Sequence, residues 1–268
     1  MFVKNKTIVV TGAGSGIGRA ICLLLLQKQA NVAAVDIHPE ALEETLKLAK
    51  VDANRYKAFV LDISDKDKVN ALPDQVVQHF GSADGLINNA GIIQKFIPVN
   101  ELPMDEINKV FNVNFYGTLY MTKAFLPVFL KNKEAHLVNI SSMGGFIPFP
   151  GQTIYGASKA AVKLLTEGLY AELKDTSVKV TVVHPGAVNT NITENSGLGK
   201  PKADANSKSA ARSLTPTKAA EIIIKAMERN KFRATVGKDA SLLDLLYRMS
   251  PRRATNFIGK MMKKSIPQ

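Results

Sequence analysis

The sequence predicts a single doubly wound α/β domain, a parallel sheet of about seven strands with helices on both faces. Three observations point there. Short β-rich runs alternate with longer helical patterns along the whole chain, the order that right-handed crossovers between parallel strands require. Several of those runs are continuously apolar, as suits strands covered on both sides. The 268 residues are 46% apolar and 22% charged, enough for one large core, and no internal repeat or low-complexity linker divides them.

The strands are read at 7–11, 31–36, 56–62, 85–88, 136–141, 178–183 and 233–236. Helices are expected near 17–29, 39–50, 65–80, 105–131, 153–174, 216–230 and 240–249. Helix 105–131 carries Val110, Phe111, Val113, Phe115, Met121 and Phe125, and the helix from Tyr155 carries Val162, Leu164, Leu165, Leu169 and Leu173. Both are apolar on more than one side, so part of each should face another element. The stretch 189–214 breaks the rhythm with small and polar residues. It directly follows a strand, which puts it at the carboxyl edge of the sheet, where ligands bind in open α/β folds. A substrate loop and a plain surface loop both fit it.

Composition excludes several classes. The apolar fraction is too high for a disordered chain, and one cysteine, Cys22, forms no internal disulfide. That fits a reducing compartment and a buried filler role for the thiol. His38, His79, His136 and His184 are scattered without metal-site spacing, so no metal is expected and none is assigned a catalytic role. The apolar run 21–26 is far short of a membrane span, and the N-terminus enters a strand without a signal core, so a cytoplasmic enzyme is expected. Charge is unevenly placed. Residues 200–268 hold 16 of the 35 basic and 5 of the 23 acidic residues, leaving that quarter at +11 and residues 1–199 at +1.

The first strand ends in Thr11-Gly12-Ala13-Gly14-Ser15-Gly16-Ile17-Gly18, and a helix opens at once. Glycines there allow a tight turn and bring main-chain N–H groups to a pyrophosphate, to which the helix N-terminus adds donors and partial positive charge. Asp36 closes the second strand at the spacing of a carboxylate that binds adenosine ribose hydroxyls. Together these predict a Rossmann-type dinucleotide fold. A carboxylate ~4 Å from the extra phosphate of NADP costs on the order of 4 kcal/mol at an effective dielectric of 20, roughly a thousandfold. Position 15 is serine, and Ile37 and His38 follow Asp36, so no arginine offsets that repulsion and NAD is favoured over NADP.

Tyr155 and Lys159 stand four residues apart, on one helical face. Such a pair is common by itself. A close ammonium offers a phenol about 4 kcal/mol, or roughly three pKa units, which predicts a phenol brought toward neutrality for acid–base work. The pair is not isolated. In fixed order the chain holds the glycine-rich turn, Asn88-Asn89-Ala90-Gly91, Asn114, Ser142 thirteen residues before Tyr155, Lys159 and Pro185-Gly186-Ala187-Val188-Asn189-Thr190. Over about 5–190 it resembles the classical short-chain dehydrogenases/reductases, with no departure at the positions that would carry chemistry.

The resemblance implies roles residue by residue. Tyr155 exchanges a proton with the substrate oxygen, Ser142 hydrogen-bonds that oxygen, and Lys159 lowers the Tyr155 pKa and bonds the nicotinamide ribose. Asn114 holds a water that links Lys159 to solvent. Gly12, Ser15, Gly16, Ile17 and Gly18 meet the pyrophosphate, with Asp36 and Ile37 at the ribose. Asp62 and Ile63 meet adenine, and Asn89, Ala90 and Gly91 form the cofactor wall. Pro185, Gly186, Val188 and Thr190 bind the carboxamide. The resemblance also implies a homodimer or homotetramer in which helices 105–131 and 153–174 pair. The local inventory of Ile92, Ile93, Phe96, Gly144, Gly145, Phe146, Ile147 and Phe149 suggests an apolar secondary alcohol or ketone.

Two rivals stand beside that reading. One is a reductase of 3-ketoacyl groups on acyl carrier protein or coenzyme A; the other is a non-catalytic NAD-sensing protein. The basic C-terminal extension, 240–268, places Leu242, Leu245, Met249, Phe257 and Met261 among Arg248, Arg252, Arg253, Lys260, Lys263 and Lys264. It fits a last helix packed on the domain or an oligomer contact, a peripheral helix on an anionic membrane, or an acidic partner. No nucleic-acid reading module accompanies the charge.

Overall fold

All seven strands pair in parallel in the order β3-β2-β1-β4-β5-β6-β7 in the computed structural model, which describes residues 1–51, 53–199 and 213–262. They are β1 (Thr7–Thr11), β2 (Asn31–Asp36), β3 (Tyr56–Val60), β4 (Gly85–Asn88), β5 (Ala135–Ile140), β6 (Val178–Pro185) and β7 (Arg233–Val236). The order reverses between β1 and β4, the point at which a crevice opens outside the carboxyl ends.

The helices are α1 (Gly16–Gln27), α2 (Pro39–Ala49), α3 (Lys66–Phe80), α4 (Met104–Phe111), α5 (Thr118–Phe129), α6 (Thr153–Glu172), α7 (Ile192–Asn195), α8 (Pro216–Glu228), α9 (Lys238–Met249) and α10 (Pro251–Met262). Strand residues alternate between two cores. Ile8, Val10, Val32 and Ala34 pack with Ile21, Cys22 and Leu25 of α1 and with Ile223 and Ile224 of α8. Their neighbours Val9, Ala33 and Val35 pack with Val69 and Leu72 of α3, Phe125 of α5 and Leu169 of α6. Local signals set several ends. The Asp65 carboxylate accepts the Lys68 N–H at the start of α3, and Gly81, at φ 79°, closes it. The Thr215 hydroxyl accepts the Lys218 N–H, with Pro216 in the first turn of α8.

Three expectations change. Strand β3 stops at Val60 rather than 62, because Asp62 turns to accept the Ser64 N–H and hydroxyl at 2.8 and 2.7 Å. Strand β6 runs on to Pro185, which pairs with Val236. The single helix expected over 105–131 is α4 and α5 joined by a π-turn, Asn112–Gly117. The Asn114 side chain holds that turn open by pairing with the Ile92 main chain, and Gly117 is pressed against Ile63. Within the 189–214 stretch the chain forms α7, and Val188 bridges Leu214; residues 200–212 of that loop and 263–268 of the tail, with Lys263 and Lys264, lie outside the described residues.

Helices α9 and α10 are held to the domain. Ile147, Ala254 and Ile258 are buried together, with Phe146, Phe149, Leu243, Tyr247 and Met262 packed against them. Among the described residues no helix is long and apolar enough to cross a membrane.

Two buried histidines make the fold acid-sensitive. His136 Nε2 lies 2.8 Å from the Thr181 hydroxyl, whose own proton goes to the Lys231 carbonyl, and its Nδ1 has no partner among the described residues. Burial pushes its pKa from 6.5 down to about 3, and burial with the Arg233 charge takes His184 to about 4. Above pH 6.5 neither the folded nor the unfolded chain protonates them. Below it the unfolded chain binds protons that the fold refuses, so stability falls as pH drops toward those values. Urea unfolding should show a loss of roughly 2 kcal/mol per histidine between pH 6.5 and 5; equal stability at the two pH values would overturn this account.

Candidate active site

The carboxyl ends of the strands enclose a cavity of about 770 Å³, within the usual range for a ligand site. Its walls are built from several stretches of chain. The first is the glycine turn after β1. Gly12 and Gly16 adopt φ of 67° and 50°, which other residues rarely do. Gly12, Ser15, Gly16 and Ile17 face the cavity. Gly18, expected at the pyrophosphate, does not: it lies behind the turn, where a Cβ would overlap the Gly12 carbonyl oxygen, so it serves helix–strand contact instead.

Asp36 sits across the turn. One carboxylate oxygen accepts the Gly14 N–H at 2.8 Å and the other accepts the His38 N–H at 3.1 Å. Gly14 thus joins the site through a contact that spacing alone did not single out. Ile37, Asp62 and Ile63 line the same end. Asn89, Ala90 and Gly91 form the next wall; the Thr11 hydroxyl accepts the Asn89 and Ala90 N–H groups, both at 3.0 Å, and the Asn89 amide donates to the Thr11 carbonyl at 3.0 Å. Pro185, Gly186, Val188 and Thr190 close the far side.

Ser142, Tyr155 and Lys159 meet where β5 ends and α6 begins. The Ser142 hydroxyl and the Tyr155 ring flank Gly144, where a Cβ would stand 3.5 Å from the first and 3.6 Å from the second. Ser142 also accepts the Gly144 N–H at 3.0 Å, which turns the chain directly after β5. Lys159 is buried; its ammonium donates to the Ile140 carbonyl at 3.1 Å. A Cβ at Gly91 would stand 3.0 Å from Lys159 Nζ and 3.1 Å from Asn114 Oδ1, so both side chains come up behind that glycine. Asn114 does not line the cavity. Its Oδ1 accepts the Ile92 N–H at 2.8 Å, and its amide donates to the Ile92 carbonyl and the Ser158 hydroxyl, both at 2.9 Å. Its side chain is thereby committed to holding the loop after Gly91.

The expected lowering of the phenol by Lys159 is not found. Although Tyr155 is only half-buried, the protein around its hydroxyl raises the pKa above the ordinary 10, opposed only by the nearby Ser142 hydroxyl. The same burial takes Lys159 from 10.5 down to about 8. Burial works against both charged forms, and the ammonium is turned to the Ile140 carbonyl.

The sequence reading missed several supporting residues. Buried Gln94 accepts the Tyr155 N–H at 2.8 Å, and Gln152 donates to the Gln94 carbonyl at 2.8 Å while its own Oε1 has no partner among the described residues. His184 Nδ1 lies 3.1 Å from the Ser142 carbonyl oxygen and so carries the proton. Asn195, the last residue of α7, and Ser196 just after it reach back across the cavity: Asn195 donates to the Ser15 hydroxyl at 2.6 Å, and the Ser196 hydroxyl accepts the Ile93 N–H at 2.9 Å. The Asp239 carboxylate accepts the Ala187 N–H at 2.7 Å. Conversely, Gly145, Phe146 and Ile147 do not line the cavity: Gly145 abuts the Lys159 carbonyl, and the other two turn toward α9 and α10.

A family model described as short chain dehydrogenase matches residues 6–200. The chain belongs to the short-chain dehydrogenases. This short-chain dehydrogenase is 34% identical over 274 residues to the putative oxidoreductase SadH of Mycobacterium tuberculosis, covering 98% of each chain. It is 37% identical over 194 residues to the 3-oxoacyl-[acyl-carrier-protein] reductase FabG of Thermotoga maritima, covering 72% of this chain and 78% of that one. Its fold is similar, with a TM-score of 0.77 and 29% identity over 88% of this chain and 90% of the other, to a short-chain dehydrogenase/reductase from Burkholderia phymatum in complex with NAD. The protein is therefore an oxidoreductase of this family.

The close approach behind the turn gives a direct check. Gly18→Ala should cost about 1–3 kcal/mol of stability through overpacking and weaken nucleotide binding; unfolding and titration curves equal to the parent protein would contradict the packing role.

Proposed function

We propose that this short-chain dehydrogenase transfers a hydride between NAD(H) and a secondary alcohol or ketone on an apolar substrate. One observation carries the reading: Tyr155 and Ser142 stand side by side on the wall of a cavity whose other end is the glycine turn and Asp36. The residues fit a dinucleotide. The turn has the positive-φ glycines and the open helix N-terminus that a pyrophosphate needs, and Asp36 offers carboxylate oxygens to ribose hydroxyls. Asp62 and Ile63 would flank adenine, Asn89, Ala90 and Gly91 the cofactor wall, Lys159 the nicotinamide ribose, and Pro185, Gly186, Val188 and Thr190 the carboxamide.

Bound there, a nicotinamide supplies or accepts the hydride. The chain's own residues handle the proton. Tyr155 gives it to the carbonyl oxygen on reduction and takes it from the hydroxyl on oxidation, while the Ser142 hydroxyl holds that oxygen. Burial keeps Tyr155 protonated at neutral pH, which favours reduction there; oxidation should accelerate as pH rises toward the phenol's pKa. Lys159 keeps positive charge near the ribose at pH below about 8. Ile92, Ile93, Phe96, Phe149, Ile192 and Met262 give the remaining wall its apolar character.

A second substrate class, 3-ketoacyl thioesters, is supported by the similarity to the Thermotoga maritima reductase. A homodimer or homotetramer is supported by Leu164 of α6, 68% exposed, and by Tyr116 of the π-turn and Tyr170 of α6 on the outside of the domain. Sedimentation velocity showing only monomer at high concentration would overturn the oligomer.

Absorbance at 340 nm with NAD and NADP, against alcohols, hydroxysteroids and 3-hydroxyacyl thioesters, tests the chemistry. Tyr155→Phe should abolish turnover and leave NAD binding nearly intact, and Asp36→Ala should narrow a preference of roughly a thousandfold for NAD over NADP. A Tyr155→Phe protein with parental rates, or an NAD-binding parent that turns over nothing, sinks the assigned chemistry. An unchanged cofactor ratio removes Asp36 from the specificity.

A further inference from the structure

Helices α9 and α10 carry an apolar face that none of the described residues covers. Along α9, Leu242, Leu245, Leu246 and Met249 follow the i, i+3, i+4, i+7 spacing of one helical stripe and are 57%, 57%, 36% and 75% exposed. On α10, Phe257 and Met261 are 50% and 60% exposed. The opposite sides of both helices already hold them to the domain, through Leu243, Tyr247, Ala254 and Ile258. The outer stripe is therefore left over after the domain's packing is complete, and a face of this kind marks an interaction site.

The charges around it have one sign. Arg248, Arg252, Arg253 and Lys260 are exposed. The only carboxylates on the two helices are turned inward: Asp239 to the Ala187 N–H, and Asp244 to Arg233 at 2.8 Å and Arg248 at 3.2 Å. Two copies of this face related by a two-fold axis would set cations against cations, which disfavours self-association. An acidic protein would answer the charge but would need a complementary apolar groove for side chains spread over two helices. The boundary between headgroups and acyl chains accepts leucine, methionine and phenylalanine in any arrangement, and anionic headgroups answer the cations.

We propose that α9 and α10 dock this protein on an anionic lipid membrane. The stripe enters the acyl boundary and the arginines and lysine meet headgroup phosphates, with no segment crossing the bilayer. Met262, on the inner side of α10, lines the cavity. The docked face is thus the outer surface of the active-site wall, a short path for an apolar substrate dissolved in lipid; that last clause rests on the proposed function, whereas the docking does not.

The test is co-sedimentation of the full chain with vesicles of phosphatidylcholine containing phosphatidylserine, against vesicles of phosphatidylcholine alone. Binding should require phosphatidylserine and weaken with salt. The double variants L245E/M249E and R252E/R253E should each lower the bound fraction about tenfold or more while keeping the parental far-UV circular dichroism. The charge pair keeps the test decisive if the apolar pair misfolds. Absence of binding, binding equal on both vesicle types, or binding unmoved by R252E/R253E overturns the proposal. So does a dimer that L245E/M249E dissolves in sedimentation velocity, or capture of an acidic carrier protein, when vesicles are left unbound.

Discussion

Helix α6 meets the end of β5 with no room for a side chain between them. A Cβ at Gly145 would stand 2.8 Å from the Lys159 carbonyl and 2.6 Å from the Ser141 hydroxyl, which itself donates to that carbonyl at 2.7 Å. Lys159 answers with its ammonium on the Ile140 carbonyl. These contacts tie the first turns of a twenty-residue helix to the last residue of a buried strand. Ser142 and Tyr155 inherit their relation from that joint rather than from their own side chains. Groups that must sit within fractions of an ångström are best carried on such rigid elements.

A second layer of contacts steadies the loops around the joint. His184 holds the Ser142 carbonyl, Gln94 the Tyr155 N–H, Asn114 both main-chain groups of Ile92, and Asp239 the turn after β6. Gln94, Asn114 and His184 are fully buried, and all four groups have main chain as their partner, so they fix the backbone of the loops. The apolar C-terminal helices stand behind this layer, so the end of the chain contributes to the wall of the cavity.

Much of this was legible in the sequence wherever the cause was local. The glycine turn, Asp36 and the Tyr155/Lys159 spacing are short-range patterns, and the strands betrayed themselves by being apolar throughout, since they are covered on both faces. Gln94, His184, Asn195 and Asp239 were not legible, because their partners lie 42 to 180 residues away and are set by topology. The phenol's pKa departs from the expectation for a related reason. A pairwise charge argument counts the neighbouring ammonium but omits the cost of burying both groups, and here burial prevails. Gly18 belongs to the turn but faces away from the cavity, since spacing does not say which side of a loop a residue faces.

The π-turn between α4 and α5 shows what one residue can decide. An added residue in a turn rotates everything beyond it by about 100°. The apolar run of 105–131 is therefore two runs out of phase, the later one seating Met121 and Phe125 in the core while the earlier one keeps Asn114 against Ile92. A chain shortened by a single position there would resume a straight helix and could satisfy only one of those two demands. Length in this stretch is thus as constrained as identity, although nothing in its composition announces the fact.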